Sequence, residues 1–190
     1  MSSIRRWSAA IAVLLSTVGS AAWGQSPVES REMGLRAGTG DHYDIIEVYG
    51  RQPAEWVEES VFRGALPDPV TAHWDLTVGY WEGREDDSGF LAGGPVFEIH
   101  AAEAWRWSLG VQPTLISRHK DAGRDLGGPF QFTSHLGLAW APPGALVLGV
   151  RVQHTSNARL YSSHPGVDTF SLEAGYASHA GAVSSPARSS

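Results

Sequence analysis

The chain has no cysteine in its 190 residues, so no disulfide can hold it together even in an oxidising compartment. It also lacks any run of the ~20 apolar residues that a membrane-spanning helix needs; its longest, "AAIAVLLSTVGSAA", is shorter and follows Arg5 and Arg6. Positive charge is scarce. Fourteen Lys and Arg face 20 Asp and Glu, for a net charge of −6, which argues against nucleic acid as a partner. These absences exclude a disulfide scaffold and a helical membrane protein, and leave a domain held by packing and hydrogen bonds.

The first 24 residues have the layout of an export signal: the two arginines, the apolar run, and a small-residue end with Ala22 and Gly24. Cleavage after Gly24 is expected, and loss of the two arginines takes the net charge to −8. The expected organisation is therefore residues 1–24 as signal peptide, 25–177 as one domain, and 178–190, rich in Ser, Ala and Gly, as a disordered tail.

Aromatic residues and glycine are plentiful: eight Trp, five Tyr, six Phe and 22 Gly. Their arrangement is the main structural signal, because a period of two places alternate residues on opposite faces of a strand. In "WRWSLGVQPTL" one parity reads Trp105, Trp107, Leu109, Val111, Pro113 and Leu115, and the other Arg106, Ser108, Gly110, Gln112 and Thr114. "FQFTSHLGLAW" splits likewise, with only Ser134 out of place on the apolar side, and "HWDLTVGYW" and "TFSLEAGY" follow the same rule. Such strands are ~10 residues long, enough to cross a bilayer at a barrel's tilt. The second parity is mostly Gly, Ser, Thr, Ala and Gln, which suits a narrow, filled lumen.

With "REMGLRAG", "YDIIEVYG", "GGPVFEIHA" and "ALVLGVRVQ" the strands number eight, an even count as single-chain bacterial outer-membrane barrels have. The expected fold is all-β, an eight-stranded antiparallel transmembrane β-barrel in the bacterial outer membrane. If both termini are periplasmic, the short connections 101–104 and 141–144 are periplasmic, and the longer "EGREDDSG" and "RHKDAGRDLGG" face outward. The segment from Arg51 to Val70 does not fit this asymmetry; "PAEWVEESVF" within it reads as a short helix.

Candidate chemistry lies at the end of the seventh strand. In "ALVLGVRVQHTSN" the apolar parity runs Leu146, Leu148, Val150, Val152, and His154 and Ser156 continue it toward lipid. Spacing of i, i+2 leaves their Cα atoms ~6.7 Å apart on one face, within reach of an imidazole acting on a hydroxyl. Asp168 begins the eighth strand on the parity of Phe170 and Leu172, where the hairpin through Pro165 and Gly166 returns it beside the seventh. Such an acid can hold the imidazole tautomer. The bland alternative is that these polar residues simply enter a loop.

"HTSNARLYSSHPGVD" resembles the signature of PagL-type lipid A 3-O-deacylases, eight-stranded outer-membrane barrels with a His-x-Ser-Asn-Ala motif, a loop containing Pro and Gly, and a downstream acid. The likeness extends through "WDLTVGYWEG" and "GPVFEIH". The resemblance implies an esterase that hydrolyses the 3-O-linked acyl chain of lipid A with Ser156 as nucleophile, His154 as general base, Asp168 as orienting acid and Asn157, with nearby backbone N–H groups, at the oxyanion, on the lipid-facing exterior. Asp168 stands where the family usually has Glu. Arg159 stands where a Gly commonly follows Asn-Ala, and is a candidate for binding a phosphate or carboxylate of the lipid headgroup. The expected partners are lipopolysaccharide and outer-membrane lipid; pairing into a homodimer is left open. No cofactor is implied.

The eight histidines show no metal-ligand spacing. His135, on the inward parity, is expected to hydrogen-bond within the barrel, to Glu98 or Glu173. The acidic run Glu85, Asp86 and Asp87 is read as a solvated loop before a divalent-cation site. The competing functional classes are a non-catalytic structural or adhesive barrel and a soluble lipid-binding barrel.

Overall fold

The computed structural model describes residues 30–41, 43–60, 66, 69–102, 104–121, 124–142, 146–163 and 165–179. The expected signal peptide lies outside the described residues. Eight strands form a closed barrel: β1 (Ser30–Gly40), β2 (Asp44–Pro53), β3 (Val70–Glu82), β4 (Ser88–Ala102), β5 (Trp105–Ile116), β6 (Phe130–Trp140), β7 (Leu146–Ser156) and β8 (Val167–His179). Each pairs antiparallel with its sequence neighbours, and β1 closes on β8. The expected architecture and strand count hold. β8 runs to His179, two residues into the segment expected as a tail.

Alternation sets the two surfaces. Along β5, Trp105, Trp107, Leu109, Val111, Pro113 and Leu115 are exposed while Gln112, Thr114 and Ile116 are buried. On β7 and β8, Leu146, Leu148, Val150, Val152, Phe170 and Leu172 point outward. A soluble fold would bury such residues, but as a continuous apolar exterior they suit hydrocarbon. Trp105 pairs across the ladder with Trp140 at the end of the barrel that carries both chain ends of the domain, giving the amphipathic rings an interfacial position.

The segment that did not fit the loop pattern belongs to this rim. A short helix, α1 (Glu55–Ser60), follows β2 directly. Its Val57 packs with Ala54 and Ala72 against Leu66, Trp74 and Phe97, and Trp56 stacks on Trp74 with ring centroids 5.7 Å apart. α1 therefore lies against the outside of β3 and β4, an apolar and aromatic seat at the rim.

The lumen is solid. Its outer mouth is plugged by apolar side chains, among them Ile45, Trp81, Phe90, Ile116, Leu126 and Val167. Below the plug the interior is far more charged than the small-residue parity suggested: Glu32, Arg36, Glu47, Arg51, Asp75, Glu98, Arg151 and Glu173 are all buried. No strand contributes more than two such residues, so a strand-by-strand reading dilutes what closure concentrates. Arg36, fully buried, bonds Glu173 (2.6 Å), Glu47 (3.3 Å) and Asp75 (3.3 Å) and lies 3.7 Å over the Tyr49 ring. Arg51 bonds Glu98 (2.5 Å) and Asp75 (3.2 Å), and Arg106 bonds Glu32.

His135 does not bond Glu98 or Glu173. Both of its ring nitrogens are buried without a hydrogen-bond partner among the described residues, because those carboxylates are taken up by arginines instead.

Removing one partner of a buried ion pair leaves an uncompensated charge, at ~3–5 kcal/mol, whereas exposed pairs contribute ~1 kcal/mol or less. Arg36→Leu is expected to lower barrel stability by about 3–5 kcal/mol, and Arg118→Ala, which breaks only the exposed pair with Asp86, by under about 1 kcal/mol. Urea unfolding of the detergent-refolded barrel, followed by tryptophan fluorescence, measures both.

Candidate active site

The register of the last hairpin places Asp168 on β8 directly opposite His154 on β7. Both side chains are on the outward parity, 50% and 69% exposed, and His154 Nδ1 lies 2.7 Å from Asp168 Oδ1. The expected His–Asp contact is thus formed. It occupies Nδ1 and leaves Nε2 available. Ser156 follows on the same face of β7, half-buried, and its hydroxyl makes no hydrogen bond among the described residues. The family's usual Glu is not needed for reach, because direct cross-strand opposition already brings the shorter acid into contact.

His154 and Asp168 line an exterior groove of about 600 Å³ that crosses four neighbouring strands. At their level it includes Asp41, just beyond β1, and Ser134 on β6; toward the membrane centre it is walled by Leu136, Val152 and Phe170. A polar ledge above an apolar trough suits a molecule with a polar head and an acyl chain.

Two groove residues escaped the expected set. Ser134, the one polar residue on the apolar side of β6, sits opposite His154 and donates its hydroxyl to the His154 carbonyl oxygen at 3.3 Å. Its break in parity was the available signal. Asp41, whose N–H donates to the Asp168 carbonyl oxygen at 3.4 Å, reaches the site only because β1 closes on β8, and nothing local announces it.

Asn157 is not brought to the groove through its side chain. It is fully buried on the opposite parity, and its amide donates to the carbonyl oxygens of Leu126 (2.8 Å) and Ser163 (2.7 Å) while its Oδ1 accepts from the Arg159 N–H (2.9 Å). With every bond directed inward, the amide ties the loop after β7 to the loop between β5 and β6. Ser163 adds a bond to the Asp125 carbonyl oxygen at 2.6 Å.

That second loop is itself braced by a two-residue hairpin, Lys120–Asp121 against Arg124–Asp125. Gly127, at φ 88°, donates to the Asp125 carboxylate at 2.8 Å. This bond, with His119 and Lys120, holds the carboxyl down at about 2. A depressed acid contributes above its ordinary value and loses its contribution as pH falls through the folded one, so the brace persists through mildly acidic conditions.

The residues after Asn157 form a tight turn: Leu160 N–H donates to the Asn157 carbonyl oxygen at 2.9 Å, and both central residues, Ala158 (φ 49°) and Arg159 (φ 67°), are left-handed. Neither is glycine, so each position is strained by roughly 1–2 kcal/mol. The acidic loop offers no open cage: Asp86 pairs with Arg118, and Asp87 accepts from the Tyr80 hydroxyl at 2.5 Å.

Two outcomes follow for stability. Arg159→Gly should raise the unfolding free energy by about 1 kcal/mol by relieving the left-handed side chain. Asn157→Ala should lower it by at least ~2 kcal/mol, since two buried carbonyl oxygens lose their donor. Denaturant midpoints of the two variants against the parent check both.

Comparison with known proteins bears on the chain's family and fold. Residues 46–177 match the family described as Lipid A 3-O-deacylase (PagL). The lipid A deacylase PagL of Bordetella bronchiseptica is 27% identical over 146 residues, which is 73% of this chain and 78% of that protein. Its namesake from Pseudomonas aeruginosa is 28% identical over 108 residues, 54% of this chain and 62% of that one. In fold, the crystal structure of the outer membrane enzyme PagL superposes with a TM-score of 0.62 at 20% identity, covering 76% of this chain and 97% of that structure. By sequence and by barrel, this chain belongs to the PagL family of lipid A 3-O-deacylases, enzymes of the outer membrane.

Proposed function

We propose that the chain removes the 3-O-linked acyl chain of lipid A with a Ser156–His154–Asp168 triad on the lipid-facing exterior of the barrel. The observation that carries this reading is the 2.7 Å contact between His154 Nδ1 and Asp168 Oδ1 on adjacent outward positions, with Ser156 next on the same face.

Asp168 holds the imidazole so that Nε2 is the free base and steadies the cation formed when it takes a proton. The Ser156 hydroxyl gives that proton to Nε2 as its oxygen attacks the ester carbonyl. Collapse of the tetrahedral adduct expels the sugar 3-oxygen, which takes the proton back from His154, and leaves the acyl group on Ser156. A water, deprotonated by the same nitrogen, then attacks the acyl carbon; the bond to the Ser156 oxygen breaks, that oxygen takes the proton back from His154, and the fatty acid leaves.

The side chain of Asn157 is spent, so the oxyanion falls to the main chain. Of the turn's amides, those of Arg159 and Leu160 are used within it. Among the described residues the Ala158 N–H has no partner, and one such donor can be worth ~3 kcal/mol in the transition state. The strained turn then has a use, since it fixes the direction of that amide.

Depth supports the exterior site. Eight residues separate Leu146 from His154, ~26 Å along a strand and ~20 Å vertically at a barrel's tilt. His154 therefore sits near the upper edge of an apolar band ~25 Å tall, where ester linkages meet hydrocarbon. Arg159, exposed on the turn above, is placed to pair with a headgroup phosphate.

Ser156→Ala and His154→Ala are each expected to abolish the loss of the 3-O-linked chain, read as the mass of lipid A from cells carrying each variant, with the barrel still assembled. Unchanged acyl loss in Ser156→Ala would remove that residue from the mechanism. Arg159→Ala should raise KM about tenfold and leave kcat within about twofold, the pattern of a lost charge-assisted contact to substrate.

A further inference from the structure

The hairpin between β7 and β8 approaches the site through Gly166, two residues before Asp168. A Cβ built on Gly166 would stand 2.9 Å from His154 Nε2 and 3.1 Å from Nδ1, and closer still to Cε1. The imidazole therefore lies against the bare backbone of this residue. Gly166 is not in the left-handed region, so its backbone φ does not demand glycine, and the three atoms a Cβ would meet first all belong to the ring.

We infer that Gly166 is a positioning residue: its missing side chain provides the seat that sets the pose of the His154 ring, between Asp168 and Ser156. Nδ1 is held by Asp168 at 2.7 Å. One hydrogen bond leaves an exposed ring free to pivot about it, and contact with Gly166 removes that freedom. The ladder between β7 and β8 ends at the pair Val167 and Thr155, with Gly166 next along one segment and Ser156 next along the other. A ring held between Asp168 and Gly166 is therefore kept at the end of the ladder that carries Ser156.

The energetics separate this role from a folding role. His154 is half exposed, so a methyl group at 166 is accommodated by pushing the ring into the open groove, at little cost to the barrel. A displacement of about 1 Å in a reacting group can cost ~10²-fold in rate.

The inference rests on the triad reading, and the test keeps the two apart. Gly166→Ala, assayed in detergent on purified lipopolysaccharide, is expected to lose about 10²-fold in kcat with KM within about threefold, at an unchanged unfolding midpoint. Labelling of Ser156 by a fluorophosphonate, which needs the same base, should slow by a similar factor. Combined with Asp168→Ala, which already releases the ring, the loss should be less than additive. Wild-type kcat in Gly166→Ala, full additivity with Asp168→Ala, or a barrel that no longer assembles would each overturn the inference; in the last case the backbone, not the ring, would be what needs glycine. An active His154→Ala would instead bring down the triad reading, and the Gly166 role with it.

Discussion

Arg36 can be buried only while Glu173, Glu47 and Asp75 surround it, and that condition governs the whole barrel. Inside-outside alternation forbids a one-residue slip, because it would turn every apolar side chain inward. A slip of two residues keeps the parity and is not forbidden by alternation. The charges forbid it. In the register, Arg36 faces Glu173 across one seam and Glu47 across the other, and Arg51 faces Glu32 and Asp75. A two-residue shift between β1 and β2 would set Arg36 against Ile45 or Tyr49 and leave carboxylates without cations, a cost of several kcal/mol for each buried charge.

The same register fixes the chemistry on the other face. His154 meets Asp168 because β7 and β8 are aligned to the residue, and Ser134 and Asp41 arrive at the same level because β6 and β1 are. The interior network and the exterior site are two readings of one alignment. An apolar cluster at the outer mouth and ion pairs below it occupy the lumen, and the groove opens sideways across the strands.

The period of two made the strands, their two faces and the outward parity of His154 and Asp168 legible in the sequence. What was not legible depends on contacts between distant segments. The charge of the lumen is spread at no more than two residues per strand, so it emerges only on closure. Asp41 joins the groove across the seam between the first and last strands. Asn157 was expected at the oxyanion on the strength of the motif, but the alternation that turns Ser156 outward turns its neighbour inward, where the amide finds carbonyl oxygens 31 and six residues away. The short helix Glu55–Ser60 resisted placement because its segment is longer than the short connections expected at that end of the barrel, and only its packing on the outside of β3 and β4 shows where it sits.

A strand end is a poor platform for catalysis, since it frays and its neighbours are loops. The structure counters this on both sides of Ser156. Before it, the ladder of β6 and β7 continues to the last residue, Phe132 facing Ser156, with the Thr133 and Thr155 hydroxyls joined at 2.8 Å on the inner face. After it, the buried amide of Asn157 fastens the turn to the neighbouring loop, and the left-handed pair Ala158 and Arg159 is kept in a conformation neither would adopt alone. That strain persists because the clamp over-determines the turn. On the proposed reading, the clamp holds the nucleophile and the oxyanion donor in one rigid piece, so Asn157 serves the reaction through the backbone it immobilises rather than through its own side chain.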